Sequence, residues 1–260
     1  MRKIKMKPTF LKYEKPLFTS MVLESDMEKA IGYIKKAAEN GAEAIGIQMC
    51  YLNGENHNVD DFKRVIAAAG DLPTYVTYYR GRSNEGKSDD EIAEGLVTLA
   101  KCGATLCDVV GDLYDKQDDQ MARDGDAIKK QMLLIDRIHE AGGEVLISSH
   151  VLKFTPAERV LEIALEQERR GADVCKIVTG ASSHEEEFEN LRIVTLLKKE
   201  LKIPFLYLSG GECRILRRIG PKLGCCMWLC VDERNEFSTP SQPDIAQVKL
   251  IREKFGYFGE

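Results

Sequence analysis

Short apolar runs alternate with longer amphipathic segments along most of the chain. At five junctions a helix-like segment ends in glycine and an apolar run follows: "AAENGAEAIGI" (37–47), "AKCGATLCDVV" (100–110), "HEAGGEVLIS" (139–148), "ERRGADVCKIV" (168–178) and "PKLGCCMWLCV" (221–231). Glycine is favoured just past a helix because the chain turns left-handed there. Proline marks the same junction in "AGDLPTYVTYY" (69–79) and "ELKIPFLYLS" (200–209). Together with "KPLFTSMVL" (15–23), the pattern predicts eight strands.

Helical patterns separate these strands, for example over 25–40, 89–102, 119–141, 156–170 and 184–200. Strand and helix alternating at a spacing of roughly 30 residues indicate parallel βαβ units. Eight units in a chain of this length predict an α/β fold of the (β/α)8 TIM-barrel type. An open doubly wound sheet is the second choice, but "ESDMEKA" after the first strand lacks the glycine-rich phosphate loop typical of it. We expect one domain over 1–260, with a short N-terminal extension of about residues 1–14.

Composition narrows the classes of function. The 260 residues are 43% hydrophobic and 30% charged, with a net charge of −5 and no basic stripe. We therefore expect no nucleic-acid partner and no membrane. The eight cysteines have no C-x-x-C spacing and several lie in apolar runs, which predicts reduced, buried thiols in a cytoplasmic protein. We expect no metal and no cofactor.

A lysine stands inside an apolar strand. In "GADVCKIVTG" (171–180), Lys176 shares a face with Val174 and Val178 by strand alternation. Inside a barrel, a partly desolvated amine can attack a carbonyl and form a Schiff base. The alternative is that the ammonium extends to water or pairs with an acid.

A histidine ends the preceding predicted strand, in "EVLISSHVLKFTP". His150 and Lys176 then lie on neighbouring strands, roughly 4.8 Å apart, so both can reach one small molecule. Histidine transfers protons near neutral pH. The simpler interpretation is a hydrogen-bonded loop histidine.

These residues resemble the type I 3-dehydroquinate dehydratases, the Schiff-base hydro-lyases of the shikimate pathway of aromatic amino acid biosynthesis. The similar motifs occur in the family's order: "YYRGRSNEG" at the third strand, "SSHVLKFTP" at the fifth, "GADVCK" at the sixth, "ILRRIG" after the seventh and "STPSQ" after the eighth. The resemblance implies a TIM barrel, a small carboxylated cyclic ketone as substrate, and a homodimer.

Residue by residue, the resemblance implies the following roles. Lys176 forms the imine, His150 transfers protons, and Glu85 orients His150. Substrate-binding roles fall to Arg217, Ser238 and Gln242 for the carboxylate and to Arg80 or Arg82 for the hydroxyls. A planar guanidinium suits a carboxylate better than an ammonium does. Arg217 could instead be a solvated helix residue, because Arg214 and Arg218 are close in sequence.

The second strand departs from the family, whose motif there is E-x-R. In "AIGIQMC", Gly46 and Gln48 stand at the two positions, and alternation places both toward the pocket. This wall is expected to tolerate a missing or displaced hydroxyl, or to admit a bulkier group over Gly46.

Two other functions use the same residues. A class I aldolase also carries a barrel lysine, and "SGGE" (209–212) at a helix start could bind its phosphate. A catalytically silent barrel that binds a related metabolite would retain Lys176 without turnover.

Overall fold

Eight parallel strands form a single sheet in the order β7-β6-β5-β4-β3-β2-β1-β8. The computed structural model describes residues 7–211 and 213–256. The strands are β1 (Leu17–Val22), β2 (Ala44–Gln48), β3 (Thr74–Thr77), β4 (Leu106–Val110), β5 (Glu144–His150), β6 (Val174–Ala181), β7 (Phe205–Gly211) and β8 (Met227–Cys230). A helix follows each strand, so the sheet curls into a nearly closed (β/α)8 barrel, as predicted.

The helices surround the barrel. They are α1 (Met27–Glu39), α2 (Val59–Ala67), α3 (Asp89–Lys101), α4 (Gly125–Glu140), α5 (Ala157–Arg169), α6 (His184–Glu200), α7 (Leu216–Leu223) and α8 (Ile245–Phe255). Helix α4 begins six residues later than its pattern predicts, because the Asp124 carboxylate accepts from the backbone N–H groups of Asp126 and Ala127 and caps the helix there. Residues 119–124 belong to the loop that joins β4 to α4.

The N-terminal segment is part of the core. Phe10 is 1% exposed and belongs to the same buried cluster as Leu106, Leu146 and Val174. The backbone N–H of Phe10 donates to Glu144 Oε2 at 2.9 Å. Part of the predicted extension, residues 1–6, lies outside the described residues. The segment that follows them packs against the beginning of the barrel strands.

The two ends of the sheet order, β7 and β8, meet at a seam. Near the start of β7, the N–H of Cys226 donates to the carbonyl of Phe205 at 2.9 Å, and the carbonyl of Cys226 accepts from Leu17 at 3.2 Å. Within the described residues no ladder of strand pairs joins β7 to β8. The segment before β8 therefore bridges β7 and β1 at the end of the barrel where these strands begin.

Two further findings concern the predictions about the cysteines and about membrane-spanning segments. All eight cysteines are free thiols, and only Cys102 is not buried, as predicted. Of the helices in the described ranges, none combines the length and the apolar character that a bilayer crossing requires.

Candidate active site

The side chain of Lys176 lies inside the barrel, as strand alternation predicts, and is 5% exposed. Its Nζ atom is 3.2 Å from Asp108 Oδ2, 2.9 Å from the Tyr75 hydroxyl and 3.3 Å from the Tyr79 hydroxyl. The structure shows Lys176 paired with an acid, which is one of the two interpretations that the sequence allows. The same amine also lines a cavity, so the pair does not remove it from reach of a ligand.

Asp108, in β4, is the anion of this cluster and is 1% exposed. It accepts hydrogen bonds from Ser148 Oγ and the Tyr79 hydroxyl, both at 2.5 Å, and from the Tyr75 hydroxyl. Burial works to raise the pKa of Asp108, but Lys176 and the three hydroxyls hold it below its ordinary value. Asp108 is therefore a carboxylate and balances the charge on Lys176.

Both tyrosines stay protonated. Burial raises the pKa of Tyr75 and of Tyr79 well above the ordinary value, and the charge of Asp108 raises each further. Each phenol can therefore donate to Asp108 while its oxygen accepts from Lys176. The ring of Tyr79 also stands edge-on to the His150 ring, with 5.8 Å between centroids.

His150 ends β5, and its ring is held from the β4–α4 loop. The Nδ1 atom is 2.8 Å from Gln120 Oε1, and the same oxygen accepts from the backbone N–H of His150 at 2.9 Å. Burial, followed by the positive charge of Lys176, lowers the pKa of His150 to about 3. The imidazole is therefore neutral near pH 7 and can accept a proton.

Lys176 and His150 line a common cavity of about 260 Å³. The rest of its lining is mostly apolar or neutral: Met21, Leu23, Gln48, Tyr75, Thr77, Leu152, Val178, Leu208, Arg217, Leu229, Thr239 and Gln242. Five of the predicted site residues thus come together, namely Lys176, His150, Gln48, Arg217 and Gln242. Among the described residues that line this cavity, none carries a carboxylate.

Arg217 is the second cation that lines the cavity. Its Nε donates to the carbonyl of Ser209 at 3.1 Å, and no ion pair joins it to an acid in the described part of the chain. Burial lowers the pKa of its guanidinium. Gln242 is 4% exposed and donates to the carbonyl of Cys230 at 3.4 Å. The two side chains are anchored to β7 and β8 respectively and face one cavity.

No described hydrogen bond joins Glu85, the residue predicted to orient His150, to the His150 ring. Glu85 is exposed, and the described partner of the His150 ring is Gln120. The turn that contains Glu85 is closed by a backbone bridge between Gly81 and Asn84, with positive φ angles at Gly81 (83°) and Arg82 (52°). The chain therefore reverses direction just before Glu85.

Neither arginine of the third loop lines the Lys176 cavity. Arg80 forms ion pairs with Asp89 at 2.6 Å and Asp112 at 2.9 Å, which take up its guanidinium. It borders a second cavity of about 410 Å³ on the other side of His150. Arg82 is exposed and lies over the Tyr51 ring, 3.9 Å from its centroid.

Ser238 and Gly46 are two further positions with predicted substrate-binding roles. The Ser238 hydroxyl donates to Asn235 Oδ1 at 3.1 Å within its own loop, and Thr239 lines the Lys176 cavity in its place. The space over Gly46 is not open: a Cβ atom there would lie 2.1 Å from Met21 Sδ and 3.3 Å from Tyr75 Cδ1. Two neighbouring strands therefore fill the gap that the sequence leaves at this wall.

The site also contains residues that the sequence patterns did not predict, namely Asp108, Tyr75, Tyr79, Ser148 and Gln120. A signal existed for Asp108, since "TLCDVV" places a lone acid in an apolar strand, just as "GADVCKIV" places a lone base. No local signal marks Gln120, because it lies in a polar loop.

The sequence profile described as Type I 3-dehydroquinase matches residues 18–253. The chain belongs to the type I 3-dehydroquinase family. It is 24% identical over 260 residues to the 3-dehydroquinate dehydratase of Geobacillus thermodenitrificans (strain NG80-2), a match that covers 95% of this chain and 94% of that protein. It is also 24% identical over 245 residues to the 3-dehydroquinate dehydratase of Methanosarcina mazei, which covers 92% of this chain and 95% of the relative.

Solved dehydroquinase structures share the fold. The crystal structure of 3-dehydroquinate dehydratase from Geobacillus kaustophilus HTA426 superposes with a TM-score of 0.81 at 17% identity, covering 94% of this chain and 93% of that one. The type I enzyme from Clostridium difficile, solved with covalently modified comenic acid, gives a TM-score of 0.79 at 16% identity, covering 98% of each chain. The (β/α)8 barrel of this chain is thus the fold of these solved structures.

Proposed function

We propose that this dehydroquinase-family chain is a Schiff-base hydro-lyase. It removes water from 3-dehydroquinate to give 3-dehydroshikimate, or from a closely related carboxylated cyclic hydroxyketone. The observation that carries the proposal is the position of the Lys176 amine. It lies at a ligand-sized cavity, against a buried carboxylate, with a neutral imidazole on the same cavity.

The chemistry follows from these groups. The ammonium of Lys176 gives up a proton and its amine adds to the substrate ketone. The ketone oxygen then leaves as water with the two protons lost from the nitrogen, and a protonated imine remains. The imine carries the charge that the ammonium carried, so Asp108 still balances it. His150 takes a proton from the carbon beside the imine, and the electrons of that bond move onto the imine nitrogen.

The second half of the reaction returns the proton. The electrons flow back from the enamine, the carbon–oxygen bond of the hydroxyl breaks, and protonated His150 supplies the proton that makes water the leaving group. Hydrolysis of the imine then releases the enone and regenerates Lys176. The net change is the loss of one water from the substrate.

Arg217 and Gln242 are the proposed carboxylate anchors. The Nε atom of Arg217 is engaged by the Ser209 carbonyl, while its guanidinium borders the cavity without an acidic partner among the described residues. A charged hydrogen bond contributes roughly 1.5–3 kcal/mol. Replacing Arg217 with alanine should therefore weaken binding of an acid substrate more than binding of its amide.

Borohydride reduction in the presence of 3-dehydroquinate tests the assignment. Mass spectrometry should find one added ligand mass on the peptide that contains Lys176, and Lys176→Met should abolish the addition. Lys153→Met is the matched control, since Lys153 is an exposed lysine on the loop after β5. Labelling of another lysine would overturn the role of Lys176.

Turnover distinguishes the enzyme from a silent barrel. An imine that forms without release of the enone would support a metabolite-binding barrel, whereas release of a cleaved fragment would support an aldolase. Formation of the enone, followed by its ultraviolet absorbance, is the result that we expect.

We also infer a cytoplasmic homodimer acting in the shikimate pathway. The family relationship and the reduced, mostly buried cysteines support this inference. Light scattering on the purified protein measures the oligomeric state directly, and a monomer at working concentration would contradict it.

A further inference from the structure

The contacts of Gln120 determine which nitrogen of His150 carries the proton. The backbone N–H of His150 can only donate, so the Gln120 atom that lies 2.9 Å from it must be the amide oxygen. That same oxygen is 2.8 Å from Nδ1 of the ring, and an oxygen of this kind can only accept. Nδ1 therefore carries hydrogen, and in the neutral ring the lone pair is on Nε2.

The loop around Gln120 is built to hold this side chain in place. Ser149, next to His150, donates its hydroxyl to the carbonyl of Asp119. The Asp119 carboxylate is paired with Arg159 at 2.6 Å and with Arg123 at 2.9 Å. A Cβ at Gly111 would lie 2.5 Å from the Gln120 carbonyl oxygen, so the loop backbone packs directly on the end of β4.

Gln120 itself has a left-handed backbone, with φ at 50°. Non-glycine residues rarely adopt this region, and it persists where the surroundings over-determine it. Here the surroundings are the Asp119 ion pairs and the contact with Gly111. The conformation brings the Gln120 amide oxygen to the end of β5, where it contacts the backbone nitrogen and the ring Nδ1 of His150.

The charged surroundings of His150 are mixed, and its orienting partner adds no charge. The charged groups that line the two cavities beside it are Lys176, Arg217, Arg80, Asp112, Lys116 and Asp118. The phenols of Tyr75 and Tyr79 also line these cavities, and the buried Asp108 acts on the His150 ring through its charge. A carboxylate at the position of the Gln120 amide would stabilise an imidazolium. The neutral amide oxygen of Gln120 accepts a hydrogen bond from Nδ1–H but stabilises an imidazolium less than a carboxylate would.

We propose that Gln120 is a positioning residue that fixes His150 in its Nδ1–H form and leaves Nε2 free to take the substrate proton. The role of Gln120 in turnover rests on the proposed function, whereas the assignment of the ring proton of His150 to Nδ1 does not. The neutral partner also makes the imidazolium formed during turnover a ready proton donor. His150 then returns its proton to the departing hydroxyl rather than retaining it.

Nuclear magnetic resonance of ¹⁵N-histidine-labelled protein tests the form of the ring without substrate. The chain has four histidines, and His150→Asn identifies the signal of interest. We expect Nδ1 of His150 to show the shift of a protonated nitrogen and Nε2 that of an unprotonated one near pH 7. The opposite pattern would overturn the inference.

Substitutions at Gln120 test its effect on turnover. Gln120→Glu should raise the pKa of His150 by at least one unit and shift the acid limb of the kcat profile to higher pH. Gln120→Met removes the acceptor, so kcat should fall by at least about tenfold, within the roughly 10²–10⁴-fold that acid–base groups supply. KM and the rate of imine trapping should change little.

Gln117→Met is the matched control, because Gln117 lies in the same loop and its side chain bonds to Asp115 and Arg123 instead of His150. It should leave the pH profile unchanged. A kcat that survives Gln120→Met, or one that falls equally in Gln117→Met, would contradict a positioning role. If borohydride traps nothing in the native protein, the proposed function fails, while the histidine spectrum still tests Gln120.

Discussion

At the scale of single residues, the pair of Lys176 and Asp108 places two opposite charges in the interior, 3.2 Å apart. Each charge is held by the other and by the hydroxyls of Tyr75, Tyr79 and Ser148. A buried charge left without its partner is strongly destabilising, whereas loss of both charges is often tolerated. The two substitutions should therefore not be additive.

A double-mutant cycle measures that coupling. Lys176→Met and Asp108→Asn should each reduce the free energy of unfolding, by as much as about 3–5 kcal/mol for removal of one member of a buried pair. The double variant should lose at least about 1 kcal/mol less than the sum of the two. Urea denaturation followed by circular dichroism provides the values, and strict additivity would show that the pair is not coupled.

The neutrality of His150 should appear in the dependence of stability on pH. Its pKa is about 3 in the folded protein, below the ordinary 6.5. Between these values the unfolded chain binds a proton that the native protein does not, so this contribution to stability is complete above pH 6.5 and is lost as the pH falls toward 3. His150→Asn should flatten the slope between pH 6.5 and 4. An unchanged slope in thermal denaturation would mean that the ring titrates normally.

The residues of the site differ in how well the sequence predicts them. Lys176 was predictable because a charge in an apolar strand is costly and alternation fixes its direction. His150 was predictable because it ends a neighbouring strand. Gln120 was not, since its contact with His150 depends on the left-handed turn and ion pairs of a loop, and these are tertiary features.

At the scale of elements, the wall made by β1, β2 and β3 is determined across strands. Met21, Gly46 and Tyr75 are neighbours in register on the three strands. Gly46 has no side chain, and Met21 and Tyr75 occupy its place. The sequence of β2 alone predicts an open wall, because it does not say which neighbour fills the gap.

Gly46→Ala tests this packing. Met21 lines the cavity, so its thioether can escape the new Cβ only by moving into the substrate space. We expect KM to rise several-fold while the unfolding free energy changes little, and Met21→Ala in the same chain should restore KM. Gly32→Ala on α1 is the control, since nothing lies within 4 Å of its added carbon.

The Gly32→Ala control should also change the stability in a known direction. A glycine-to-alanine change inside a helix favours folding by roughly 0.5–1 kcal/mol. Steady-state kinetics with 3-dehydroquinate would contradict the packing account if Gly32→Ala and Gly46→Ala raised KM equally.

At the scale of the whole molecule, the segment before β1 closes the end of the barrel opposite the strand ends that carry His150. Phe10 is 1% exposed, whereas its neighbour Leu11 is 37% exposed. Phe10→Ala should lower the free energy of unfolding by about 3–5 kcal/mol, the usual cost of removing a buried phenyl group. Leu11→Ala should cost far less, and equal losses in chemical denaturation would place the N-terminal segment outside the core.

The seam between β7 and β8 has a consequence for how a ligand affects the molecule. Arg217 is anchored to the carbonyl of Ser209 on β7 and Gln242 to that of Cys230 on β8, so one stands on each side of the gap. If a carboxylate binds both side chains, as proposed, it links the two strands at the seam. Local opening there should then be suppressed by the ligand, and amide hydrogen exchange should slow on both edges when an acid analogue is bound. A bound substrate would then link the edge strands β7 and β8 and complete the closure of the barrel.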